Sequence, residues 1–142
     1  MGVHDFTLWN VIERNERWSG SGTAFVFDGI AHTHAQYASR ARRLAAGLAR
    51  AGVARGDRVA VVAQNRPEYL DLYAAAARLG VIVVPVNWRL STEEMAHAVT
   101  DTTPKLLLAD HEYQPALAAL GARCPGLSGF YGYGRTSAGF EP

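Results

Sequence analysis

Gly80-Val-Ile-Val-Val-Pro-Val-Asn-Trp-Arg-Leu90 is the stretch that decides how this chain folds. A glycine closes a helical segment, four β-branched residues follow, and Pro85 and Asn87 break the run just before Arg89. Two further apolar runs frame it, Arg58-Val-Ala-Val-Val-Ala63 before and Lys105-Leu-Leu-Leu-Ala109 after. Continuous apolar runs of this length suit strands covered on both faces, as in a parallel sheet. Residues 68–79 and 91–99 carry helical spacing between them, so the order is β-α-β-α-β. The predicted fold class is α/β: a partial parallel sheet flanked by helices, with a β-hairpin nearer the N-terminus.

Towards the N-terminus, Thr7 caps a first helix with Leu8, Val11 and Ile12 on one face. Ser19-Gly-Ser-Gly22 ends it. Thr23-Ala-Phe-Val-Phe27 and Ile30-Ala-His32 read as strands around Asp28-Gly29, a hairpin signal that sets a ribbon beside the main sheet or at its edge. Thr33-His-Ala-Gln36 has the spacing of a capping box. The helix behind it aligns Tyr37, Ala41, Leu44 and Leu48, and leaves Arg40, Arg42, Arg43 and Arg50 for a solvated outer face. Residues 68–79 are apolar nearly all round, which predicts burial on more than one side.

Towards the C-terminus, Ser91-Thr-Glu-Glu94 is a second capping box, and residues 111–120 contain one more short helix. From Gly129-Phe-Tyr-Gly-Tyr-Gly134 onward the pattern loses its period. Residues 1–127 are therefore expected to form the α/β domain, and 128–142 a Gly/aromatic-rich tail at which a longer parent chain is cut.

At 142 residues, 49% of them hydrophobic, the chain can bury a core without disulfides or metal. A net charge of +1 gives no electrostatic footprint for nucleic acid. Cys124 is the single cysteine, no basic-then-apolar leader is apparent, and no apolar run is long enough to span a membrane. A cytoplasmic protein is expected.

Few residues carry a chemical signal. The turn after the first core strand, Gln64-Asn-Arg-Pro67, has no glycine, so neither a dinucleotide fingerprint nor a phosphate loop is present there. His4, His32, His34, His97 and His111 lie in separate elements without a cysteine or carboxylate cluster, and no metal site is expected. Asp110 ends a strand, where an acid more often caps the next turn than performs catalysis. Cys124 has no base placed near it by the sequence, so no catalytic residue is expected. Arg89 differs: it follows a core strand at the end of the sheet where open α/β folds bind ligands, and a guanidinium can hold a phosphate in two bonds. It can equally pair with Glu93 or Glu94 at the start of the next helix.

Gly56-Asp-Arg-Val-Ala60, Asn65-Arg-Pro-Glu-Tyr69 and the Leu79–Leu90 block followed by Ser91-Thr-Glu-Glu94 together resemble the N-terminal part of acyl-CoA synthetases. These are the fatty-acid–CoA ligases of the adenylate-forming, AMP-binding superfamily. Thr33-His-Ala-Gln-Tyr37 and residues 105–110 extend the resemblance, which covers roughly residues 5–125. It implies a parent enzyme that uses ATP and Mg to adenylate a fatty or aryl acid, then transfers the acyl group to CoA. It also implies that Arg89 contacts the CoA nucleotide. The family's lysine-containing phosphate loop and catalytic lysine have no match here, Lys105 being the only lysine. No adenylation residue carries over, and no cofactor is expected to stay bound to this chain alone. The expectation is an N-terminal part without activity by itself, prone to self-association; the alternative is a stand-alone binding module built on the same fold.

Overall fold

The computed structural model of the chain describes residues 6–118 and 120–141. It forms two compact units interleaved in sequence, one of Met1–Gly52 with Arg66–Gly80 and one of Val53–Asn65 with Val81–Pro142.

The first unit holds α1 (Leu8–Ser19), β1 (Thr23–Phe27), β2 (Ile30–Thr33), α2 (His34–Arg50) and α3 (Pro67–Leu79). Thr7 and Asn10 form a capping box on α1, and Thr33 and Gln36 form one on α2. Asp28 and Gly29 turn the hairpin with φ of 48° and 75°, the positive pair that matches the twist of two antiparallel strands. β1 and β2 pair only with each other, as a separate two-stranded sheet. Trp9 and Ile12 of α1, Ala38 and Ala41 of α2 and Ala74 of α3 make one buried cluster. α2 and α3 contribute alanines, so the bulk comes from α1.

The arginines of α2 are a correction to the expected solvated face. Arg40 pairs at 2.8 Å with Asp71, whose side chain is only 7% exposed. Arg42 donates to Glu16 at 2.7 Å, and Arg43 to Ser39 at 2.8 Å. Ionic reach across the unit, invisible to a helical wheel, pairs two of the four with carboxylates on other helices. On α3, Asp71, Leu72, Ala74, Ala75 and Ala76 are buried, a wide arc as the apolar pattern predicts, while Leu70 and Tyr73 stay 42% and 38% exposed.

The second unit holds β3 (Arg58–Val62), β4 (Ile82–Pro85), α4 (Thr92–Thr102), β5 (Leu106–Asp110), α5 (Gln114–Leu117), α6 (Leu120–Arg123) and β6 (Gly129–Tyr133). The four strands run in the order β4-β3-β5-β6, all parallel. β5 is buried throughout and β3 nearly so, as their unbroken apolar runs require. β4 departs from that reading: it is an edge strand, and Ile82 is 52% exposed. Ala60, Val62, Leu107 and Ala109 of the sheet pack with Met95, Ala96 and Val99 of α4, Leu117, Leu120 and Phe140.

Residues 128–142 also differ from the expected tail, since β6 extends the sheet and Phe140 is buried in its core. Glu141 closes back on β6, accepting from Gly132 at 2.7 Å and donating to Phe130 at 2.8 Å. A Cβ at 132 would lie 2.5 Å from the Gln114 amide nitrogen and would push that amide off its partners. Fully buried Gln114 donates to the carbonyls of Ala109 and Arg135 and accepts from the Ser137 amide, tying the segment after β6 to the end of β5. Two glycines in five residues erased the alternation by which a strand is recognised. The helix expected within 111–120 is split into the short α5 and α6.

Candidate functional site at the carboxyl end of the sheet

β3 leads through α3 to β4 on one side of it, whereas β5 leads to β6 on the other. The carboxyl ends of β3 and β5 therefore flank a switch point in strand order, the place where open α/β sheets form a ligand crevice. Gln64 leaves β3 there, and its backbone N–H donates to the Asp110 carboxylate at 3.0 Å. Its side-chain amide donates to Glu112 at 2.8 Å and to the Tyr113 hydroxyl at 3.2 Å. Asp110 thus ties two strand ends together. Burial pushes the Tyr113 hydroxyl above its ordinary pKa; the Gln64 hydrogen bond lowers it and the Glu112 carboxylate raises it.

β4 contributes the charged group. Val86 donates to the Val61 carbonyl at 2.9 Å as the last rung before the chain turns. Asn87 then makes the turn: its side-chain oxygen accepts the Arg89 N–H at 3.0 Å and its carbonyl accepts the Leu90 N–H at 3.2 Å. Ser91 follows as N-cap of α4, with the reciprocal bond to Glu94. The backbone N–H and hydroxyl of Ser91, donating to Glu94, hold that carboxyl below the usual range. The block Asn87-Trp-Arg-Leu-Ser91 is therefore a turn joined directly to a helix cap, and it projects Arg89 into solvent.

The alternative partners of Arg89 are both engaged elsewhere. Glu93 binds Arg123 at 3.1 Å, and Glu94 is committed to Ser91. Among the described residues Arg89 makes no ion pair; its guanidinium lies 4.2 Å from the centre of the Trp88 ring. Trp88 is half-buried against the core of this unit, with its ring 6.0 Å from that of Tyr113. One row of contacts therefore runs from Gln64 through Tyr113 and Trp88 to Arg89. An exposed guanidinium on an aromatic shelf can bind an oxyanion such as phosphate.

The remaining candidates do not join this row. His32 stacks on Phe25 and lies 3.1 Å from Arg40, while His34 and His97 are elsewhere on helices. His111 lies 3.4 Å from the Ser137 hydroxyl, and His4 falls outside the described residues. Among the described residues no three His, Cys, Asp or Glu converge as metal ligands, and no helix is long and apolar enough to cross a membrane. Cys124 is buried beside Thr100, and Lys105 pairs with Asp57 at 3.1 Å. Gln64, Glu112 and Tyr113 were not found from sequence. Their convergence depends on β3 and β5 being neighbours, and only the pairing of strands decides that.

The pattern of the family described as AMP-binding enzyme matches residues 12–128. A feruloyl-CoA synthase from an Amycolatopsis species is 40% identical over 109 residues, which are 77% of this chain and 22% of that protein. Among solved structures, a candidate long-chain-fatty-acid CoA ligase from Rhodopseudomonas palustris has a TM-score of 0.94 at 40% identity, covering 99% of this chain and 36% of that one. The N-terminal domain of FACL13 from Mycobacterium tuberculosis has a TM-score of 0.85 at 27% identity, covering 96% of this chain and 38% of that one. The chain thus spans about a fifth of the length of the curated relatives it matches, 22% for the feruloyl-CoA synthase. On the family match and the shared fold, the chain belongs to the AMP-binding enzymes, and its fold is that of the N-terminal part of acyl-CoA ligases.

Proposed function

We propose that this chain supplies the N-terminal part of an ATP-dependent acid–CoA ligase, with Arg89 contacting the phosphate-bearing nucleotide end of CoA. In the whole enzyme, ATP and Mg serve to adenylate a carboxylic acid, and CoA accepts the acyl group. The substrate is assigned only as a fatty or aryl acid, because the relatives named above include one of each kind. The chain by itself carries out no adenylation: its one lysine is paired with Asp57, and its first core turn lacks a phosphate loop. A cytoplasmic setting and self-association of the isolated chain belong to the same reading.

The observation that carries the Arg89 assignment is that, among the described residues, its guanidinium has no carboxylate partner. It is an exposed cation at the carboxyl end of a parallel sheet, and the two carboxylates nearest in sequence are engaged by Arg123 and Ser91. Titration of the labelled chain with millimolar CoA, followed by NMR, is expected to shift the amides of residues 87–90. Arg89→Ala should weaken that response about tenfold, the scale of one charge-assisted hydrogen bond. An unchanged response in Arg89→Ala would remove the assignment. ATP–pyrophosphate exchange catalysed by the chain alone would refute its inactivity.

A further inference from the structure

The geometry points to Trp88 as a positioning residue that sets the orientation of Arg89 before any ligand arrives, an inference that rests on the CoA assignment of Arg89. An exposed arginine samples many rotamers, and ordering them on binding opposes affinity. Here the side chain is restrained at both ends. Asn87 holds its backbone N–H at 3.0 Å, and the Trp88 ring lies 4.2 Å from its guanidinium carbon. The ring is itself fixed: it packs into the unit's core and neighbours Tyr113, whose hydroxyl accepts from Gln64.

Stacking and anion binding do not compete for the same atoms. A ring that stacks on a planar guanidinium takes one of its faces, and the N–H donors lie in the plane, directed away from the ring. The shelf therefore leaves the donors free to meet a phosphate. Proline or a β-branched residue at 88 would give the same turn and helix cap but no shelf.

The test reads the Arg89 side-chain Nε–Hε resonance in the ligand-free chain, assigned by its loss in Arg89→Lys. It should be shifted by the indole ring current and less mobile than the resonances of exposed Arg50 and Arg55. Trp88→Leu should bring it to their values, and Trp88→Phe should keep part of the restraint. A dispersed backbone spectrum for Trp88→Phe shows that the fold survives. Trp88→Leu should weaken CoA binding about threefold, and by much less in an Arg89→Ala background. An Arg89 resonance unmoved by Trp88→Leu overturns the inference, as does equal weakening in both backgrounds. A wild-type chain with no CoA response would defeat the CoA assignment alone, while the resonance comparison still decides whether Trp88 positions Arg89.

Discussion

Asp71 and Arg89 show how differently two charges are used in this chain. Asp71 is buried in the first unit, and burial pushes its carboxyl above the usual pKa more than the Arg40 hydrogen bond pulls it down. One carboxylate oxygen of Asp71 and one terminal nitrogen of Arg40 are buried without a hydrogen-bond partner. Because the folded-state pKa lies above the unfolded one, the folded chain holds this proton more tightly. The group's contribution to stability is greatest below the ordinary carboxylate pKa and falls as pH rises through the folded value. Arg40→Leu leaves Asp71 unpaired in the interior, at a cost of about 3 kcal/mol where the carboxyl is ionised, reduced somewhat because Arg40 is partly exposed. Urea denaturation should show that loss at pH 7 and a smaller one as the pH is lowered and Asp71 takes up its proton. An equal loss at both pH values would mean that the alkyl stem of Arg40 matters rather than its charge.

At the scale of elements, the signals that worked were those confined to a few neighbouring residues. Thr33–Gln36 and Ser91–Glu94 cap their helices reciprocally, Asp28-Gly29 turns the hairpin, and Gly80 ends α3 at φ 74°, where a side chain would be strained. Each acts over four residues or fewer, so its meaning does not depend on the fold. α4 gives the corresponding prediction. Ser91→Ala removes the hydroxyl that caps its first turn and should destabilise the chain by about 1 kcal/mol. The folded pKa of Glu94 is depressed, so its contribution is present above the unfolded carboxylate pKa and lost as pH falls through the folded value. Thermal melts should therefore separate wild type from Ser91→Ala near neutral pH and bring them closer in acid.

For the whole molecule, the open question is which surface would meet a second copy. The edge of β4 is a weak template. Ile82 and Val86 turn their N–H groups inward to β3, so Val83 and Pro85 face outward, and Pro85 has no N–H to offer. The exposed Leu70 and Tyr73 of α3 are the better candidates for the proposed self-association. Light scattering after size exclusion should show mass rising with concentration, reduced by Leu70→Glu and unchanged by Val83→Lys. A monomer at every concentration would defeat the proposal, and sensitivity to Val83→Lys alone would return the interface to the sheet edge.

Sequence by itself determined α1 to α4, the hairpin, three of the four parallel strands and the position of Arg89 after one of them, because capping, turn chemistry and apolar runs are local. It also carried the family, since the order of short motifs survives without knowledge of the fold. Only the tertiary structure decided that β3 and β5 are neighbours, that glycine-broken residues 129–133 complete the sheet, and that Glu93 is taken by Arg123. Those outcomes depend on residues distant in the chain competing for the same partners or the same strand edge. The inward pairing of Arg40 and the row from Gln64 to Arg89 have the same origin: a side chain's partner is chosen in space, and a linear pattern records only the candidates.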